Sequence, residues 1–267
     1  MAETLLRVEN LAKTYRSSTG TVEAIRDISF SMSAGELVCI VGPSGCGKTT
    51  LLKCIAGLLA PTAGTVELEG VAVTSPPASM AVVFQEYGRS LFPWLTVRGN
   101  VELPLRHKRL AREERTRLVD DALAAVGLEN AARSYPWQLS GGMQQRVAIA
   151  RAVAYQPDVL IMDEPFAAVD AQTRADLEDL VRRLHSERGM SILFVTHDID
   201  ESVYLGERVI VLSRSPTFVQ EDLAIDLAAE RDQIGTRALP RFTELRTHVY
   251  EQIQRAKRGE AVPPAVR

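Results

Sequence analysis

Gly42-Pro43-Ser44-Gly45-Cys46-Gly47-Lys48-Thr49 is a glycine-rich loop that ends on a cation and a hydroxyl, with Thr50 next. Such a loop aims backbone N–H groups at an anion, and Gly45 and Gly47 let the main chain approach it closely. Lys48 offers a point charge to phosphate oxygens, and the Thr49 hydroxyl is a hard ligand for Mg²⁺. Asp163 and Glu164 close the apolar run Val159-Leu160-Ile161-Met162. A carboxylate at such a strand end can hold a Mg²⁺ shell, while its neighbour points elsewhere, toward the phosphate. An exposed acidic pair would read the same way on its own. Ser140-Gly141-Gly142 is either an anion-binding turn or a plain helix start. Gln85 follows Val82-Val83-Phe84, 37 residues after Lys48, and His197 follows Ile192-Leu193-Phe194-Val195-Thr196. Both are polar side chains at the ends of apolar runs, and each alone is weak evidence.

These groups need rigid elements behind them. Residues 37–41 form an unbroken apolar run, as a strand covered on both faces does. Residues 48–58 then show helical periodicity, with Leu51, Leu52, Ile55 and Leu58 on one face and Gly57 and Pro61 as stops. Strand, glycine loop, helix is the context a phosphate loop requires. Further strands are predicted at 5–8, 25–32, 65–68 and 81–84, with 17–20 as a loop. From Glu86 to Gln156 the pattern turns helical, notably over 111–126 and 142–155, as expected of a helical lobe inserted in an α/β core. Alternation returns as strand 159–163, helix 171–185, strand 191–196, a short helix from Asp198 and strand 208–212. Asp198 with Glu201 reads as a helix-start pair. After Ser215 the chain reads as loop-like and polar, save an amphipathic helix over 241–256 carrying Phe242, Leu245, Val249 and Ile253. That helix packs on its own lobe or serves regulation. The 261–265 tail is expected to be disordered.

Composition narrows the class. The 267 residues suffice for one large domain or two lobes, with 46% hydrophobic and 24% charged residues. A formal charge of -3 gives no basic excess, so nucleic acid is not expected as a partner. Cys39, Cys46 and Cys54 have no CxxC spacing, which speaks against a zinc site or a disulfide framework and for a reducing compartment. Cys39 and Cys54 read as core residues. Cys46 reads as a small residue fitting its loop, with a redox role as the alternative. His107, His185 and His248 read as surface residues. The N-terminus lacks the pattern of a signal peptide, and no run reaches the ~20 apolar residues of a membrane span.

Taken in order, the loop at 42–49, Gln85, Leu139-Ser140-Gly141-Gly142-Met143-Gln144, Asp163-Glu164 and His197 resemble the nucleotide-binding subunit of an ATP-binding cassette (ABC) transporter. The resemblance runs from about Leu6 to Ser213. It implies an α/β fold: a P-loop NTPase core with an antiparallel β subdomain and an inserted helical subdomain at about 86–157. Residues 1–215 would form the ATPase domain and 216–267 a C-terminal extension. It implies ATP and Mg²⁺, with Thr49, Gln85 and Asp163 toward the metal and Glu164 polarising the attacking water. Lys48 and the loop would bind the phosphates, His197 would contact the γ-phosphate, and Tyr15 would stack on adenine. Ser140, Gly141 and Gly142 would face the nucleotide of a second copy in a head-to-tail dimer. The motif departs from the family's pattern at Met143, and Gln144 is expected to take over that contact or leave it unmade. Asp170 matches the D-loop, and it is equally a helix N-cap.

The gap of 92 residues from Lys48 to Ser140 is too short for the long coiled coil of chromosome-organising relatives, and the chain carries one cassette. The resemblance therefore implies a peripheral ATPase on the cytoplasmic face of the inner membrane. It would dock on integral membrane permease subunits and serve a solute-binding protein indirectly. Ser90-Leu91-Phe92-Pro93-Trp94-Leu95-Thr96-Val97, with Asn100-Val101 behind it, and Leu212-Ser213-Arg214-Ser215-Pro216 resemble the nitrate, sulfonate, taurine and bicarbonate import subgroup. Phe92, Pro93 and Trp94 could also simply pack the helical lobe. A soluble ABC ATPase of a non-transport assembly and a nucleotide-sensing module are the alternatives.

Overall fold

The computed structural model describes residues 4–260, apart from 19 and 86 and the side chains of 87 and 89. Glu86, where the helical stretch was placed to begin, and the 261–265 tail lie outside the described residues. The chain folds as two compact units. One is residues 78–188, and the other joins the segment before it to the segment from Gly189 onward.

The first unit opens with β1 (Thr4–Ser17) and β2 (Gly20–Ser33), a long antiparallel pair whose register runs from Leu6 opposite Met32 to Ser17 opposite Gly20. Both strands are far longer than their apolar segments predict. Their distal halves carry exposed residues such as Arg16 and Val22, which hold the strand by ladder bonds and not by burial. β3 (Leu37–Val41) is buried at every position. It leads through the glycine loop into α1 (Lys48–Ile55), which Gly57 ends at φ +68°. A Cβ on Gly57 would lie 2.5 Å from the Ser75 backbone, so the next loop also requires glycine there. β4 (Ala63–Leu68) and β5 (Val71–Ala72) add two antiparallel strands outside β1.

The second unit begins with β6 (Met80–Val83), followed by α2 (Tyr87–Ser90), α3 (Val97–Glu102), α4 (Arg112–Ala125) and α5 (Gly141–Ala154). β7 (Val159–Asp163) pairs parallel with β6, and α6 (Ala171–Arg188) closes the unit. α3, α4 and α5 pack on one another through Val101, Val119, Leu123, Val147 and Ile149, all buried. His185 is buried on the inner face of α6 with Leu177, Val181 and Leu184, which corrects its reading as a surface residue. Its turn of the helix carries the apolar stripe, and the charged residues around it in sequence hid that.

The first unit resumes with β8 (Ser191–Val195), α7 (Ile199–Leu205), β9 (Arg208–Leu212), β10 (Thr217–Ala224), α8 (Gly235–Ala238) and α9 (Pro240–Arg258). Within it the strand order is β5-β4-β1-β2-β10-β9-β3-β8. β3 runs parallel to both β8 and β9, the βαβ arrangement, while β1, β2, β4 and β5 are antiparallel. β10 corrects the loop-like reading after Ser215. It pairs parallel with β2 at Thr217 and Phe218 and antiparallel with β9 along its length. The Ser-Pro start and the Glu221-Asp222 pair masked it, because only Thr217 and Phe218 of the strand are fully buried. α9 packs on α7, β9 and β10, burying Phe242, Leu245, Val249 and Ile253. Arg231 donates to the carbonyls of Val203, Tyr204 and Gly206, placing a cation where α7 runs out of partners.

Candidate nucleotide site

β3 and β8 are parallel neighbours with Ile40 opposite Val195, so their C-terminal ends lie side by side. The glycine loop leaves one and Thr196-His197 leaves the other. The Thr196 N–H donates to the Ile40 carbonyl at 3.1 Å, pinning the two exits together. Ligands of open parallel sheets gather outside such strand ends. His197 is exposed there.

The loop itself is built from unusual backbone. Gly45 has φ +75° and Gly47 φ +104°, the region that favours glycine. Gly47 is also the N-cap of α1 and offers no side-chain cap, so the helix start is left to main-chain groups. Lys48 is buried, and its Nζ donates to the carbonyls of Gly42 at 3.1 Å and Pro43 at 3.3 Å, which folds the loop round its own lysine. Cys46 is buried, and its Sγ would lie 3.0 Å from a Cβ on Gly42. It fits as a small filler. Ser44, Gly45 and Thr49 are exposed, and Thr50 is half-buried. Tyr15 reaches the same helix start from β1: its hydroxyl lies 3.3 Å from Thr50 Oγ1, and Lys13 Nζ sits 5.5 Å from its ring centre. All three cysteines are buried, and none forms a disulfide among the described residues.

In the second unit the same logic recurs. Val83 of β6 is opposite Met162 of β7, so Gln85 and the Asp163-Glu164 pair leave adjacent parallel strands at nearly the same level. Asp163 is buried and Gln85 exposed. Glu164 has φ +45°, a left-handed backbone rare for a residue with a Cβ. Such a conformation costs about 1–3 kcal/mol and is kept where surrounding structure enforces it. It turns the chain sharply between the two carboxylates.

Ser140 caps α5: its hydroxyl accepts from the Met143 N–H at 3.3 Å. Ser140 and Gly141 are exposed, so the N–H groups of the first turn face outward with the helix dipole behind them. A Cβ on Gly142 would lie 2.4 Å from Thr173 Cγ2, so a side chain here would have to displace that methyl on α6. The Gln144 amide donates to the Pro136 and Leu139 carbonyls at 3.0 and 3.3 Å, bracing the segment before the turn. Asp170 caps α6, accepting from the Thr173 N–H at 3.0 Å and the Thr173 hydroxyl at 2.7 Å. Those bonds, the backbone one foremost, hold its carboxyl below the usual carboxylate range.

A family model described as ABC transporter matches residues 25–167. The chain belongs to the ABC transporter family. The nitrate import ATP-binding protein NrtD of Synechocystis sp. is 44% identical over 227 residues, 85% of each chain. The taurine import ATP-binding protein TauB of Roseobacter denitrificans is 40% identical over 252 residues, 93% of each. A solved structure, the dimeric post-hydrolysis state of an ATP-binding cassette bound to ADP and Pi, is 34% identical with a TM-score of 0.73. It is covered in full by 84% of this chain. The ABC cassette fold expected from the motifs is thus the one observed.

Three parts of this ABC protein were not legible as site residues. Glu201 is buried and accepts from the Thr196 hydroxyl at 2.6 Å, while the Asp198 N–H donates to the same hydroxyl oxygen at 3.0 Å. Asp198 does cap α7 through the Glu201 N–H at 3.2 Å, and the Glu201 carboxylate holds the Thr196 hydroxyl just before His197. A glutamate four residues after a strand-end histidine is the only trace of this in sequence. Thr217 is buried and donates to the Cys46 carbonyl from a strand that sequence did not reveal.

Asn100 is the third. It is fully buried and ties down the loop before α3: Oδ1 accepts from the Phe92 N–H, and Nδ2 donates to the carbonyls of Phe92, Leu95 and Thr96. The loop so held presents Phe92 and Trp94, edge to face at 5.3 Å, with Trp94 70% exposed. Trp94 therefore does not fill the lobe's interior; Leu91 does. Asn100→Ala is expected to cost about 2–3 kcal/mol in urea unfolding, because it removes the amide from the Phe92 N–H and the Leu95 carbonyl, while the Phe92 and Thr96 carbonyls keep the backbone donors of Leu95 and residue 100.

Proposed function

We propose that this chain is the ATP-hydrolysing subunit of an importer for a small anion, such as nitrate or a sulfonate like taurine, working through separate membrane subunits. The observation that carries the ATPase reading is the loop of Gly42 to Thr49 at the end of β3, with His197 leaving the adjacent strand. The import reading is supported by relatives, 40 and 44% identical along most of their length, that bear nitrate and taurine import names.

MgATP is the substrate. The loop N–H groups and Lys48 take its phosphates, and Tyr15 offers a π-face to the base. Thr49 and Asp163 are hard oxygen donors, which suits Mg²⁺, an ion that keeps water and phosphate oxygens as its other ligands. That ion would neutralise charge on the transferred phosphoryl group. Glu164 accepts a proton from the attacking water, with Gln85 positioning that water and His197 contacting the γ-phosphate. Two copies close head to tail, and the Ser140-Gly141-Gly142 turn of each completes the other's site. Closure moves the permease subunits docked on the helical segments. No helix among the described residues is long and apolar enough to cross a membrane. The protein would sit at the cytoplasmic face of the membrane, receiving solute through a binding protein on the far side.

Purified protein should release phosphate from MgATP, and Lys48→Ala should lower that rate by about 100-fold. With its membrane subunits in vesicles, uptake of labelled nitrate or taurine should require ATP on the side of this subunit. Turnover of ATP by a chain that co-purifies with no integral membrane protein would remove the transport half of the reading.

A further inference from the structure

We propose that Thr217 is a positioning residue for nucleotide: it sets the direction of the Gly47 N–H in the phosphate loop. Thr217 opens β10 and is completely buried. Its backbone is registered opposite Ile25 of β2, and the Ser215 hydroxyl two residues before it donates to the Glu23 carbonyl at 3.2 Å. The side chain is thus delivered to the underside of the loop by two strands and has no freedom to wander. There its hydroxyl donates to the Cys46 carbonyl.

The consequence follows from amide geometry. The Cys46–Gly47 peptide is planar and trans, so its C=O and N–H point in opposite directions. Fixing the Cys46 oxygen on Thr217 directs the Gly47 N–H away from Thr217, into the loop that Lys48 closes through the Gly42 and Pro43 carbonyls. Gly47 at φ +104° has no Cβ, so no side chain of its own fixes the tilt of this peptide. A Cβ there would lie 3.4 Å from the Ala24 carbonyl and 3.6 Å from Thr217 Oγ1, so the underside is a close fit against β2 and β10. The Thr217 bond holds the peptide in this orientation before any anion arrives, and preorganised donors bind without paying to turn.

The inference rests on the loop being an ATP site, and the test separates the two. Nucleotide affinity of the full chain is measured by titration with MgATP and with MgADP, alongside steady-state phosphate release. Wild type should bind and Lys48→Ala should not; binding that ignores Lys48 would fail the site reading itself. Given that control, Thr217→Val, nearly the same size but without the donor, should weaken both nucleotides about tenfold. Its kcat at saturating MgATP should stay within about twofold, and Thr217→Ser should restore affinity. A purely structural role would lower the melting temperature and leave the affinity of the folded fraction alone. Thr217→Val binding within twofold of wild type, or Thr217→Ser as weak as valine, would overturn the proposal. Should the valine variant not fold, Thr217→Ala, which adds no methyl against the loop, is measured in its place against the same criteria.

Discussion

Glu164→Gln should bind MgATP as wild type does, hydrolyse it at least about 100-fold more slowly, and accumulate as a dimer in gel filtration. The size of the effect follows from what the change leaves intact. Glutamine has the same length and shape and takes the same left-handed backbone at φ +45°, so it neither relieves nor adds strain. Asp163, the buried carboxylate before it, keeps its place. What is lost is proton acceptance alone, which positioned side chains supply at about 10²–10⁴-fold. If nucleotide cannot be cleaved, the closed pair has no route to open, and the dimer becomes the resting state. Normal turnover by this variant would assign the base to another residue.

Ser140→Arg should abolish hydrolysis while leaving the affinity of the monomer for MgATP unchanged. Ser140 is exposed, so an arginine has room in the isolated chain. The fold loses the cap on Met143, about 1 kcal/mol, too little to unfold a domain of this size. Ser140→Ala loses the same cap without the bulk and serves as the control for stability. The arginine can be fatal only if something must come close to that turn, and in this reading it is the nucleotide of the second copy. Hydrolysis that survives the change would mean that the turn faces solvent throughout the cycle.

The parts legible in the sequence share one property: a single short segment carries the whole signal. The apolar 37–41 run, the glycine loop and the start of the 48–58 periodicity each stand on local chemistry; β3 and the loop appear as expected, while α1 ends at Ile55 and leaves Leu58 exposed, outside the helix. The same holds for Asp198 and Asp170, whose side chains cap the helices after them. What escaped depends on contacts made only in the folded chain. β10 looks polar because it gains its ladder from β2, about 190 residues away, and from β9, about 7 to 16 residues away. Thr217 has meaning only beside Cys46, and Glu201 only once α7 folds back over Thr196. Gly142 reads as part of an anion turn, yet a side chain there would also have to displace the Thr173 methyl on the next helix. His185 was missed for a simpler reason: charged neighbours on both sides outweighed its place on the apolar stripe.

The central strand of the first unit also dictates when the protein can begin to work. β3 finds its flanking partners in β8 and β9, about 155 and 170 residues downstream, and the loop it carries is held from below by β10. A chain emerging from the ribosome therefore has its glycine loop early and its support late. Pairings of such long separation form slowly, since the intervening chain must be closed first. Competence for nucleotide is consequently among the last properties the nascent polypeptide acquires, and truncated products ending before Thr217 would bind ATP more weakly while still carrying every residue of the loop.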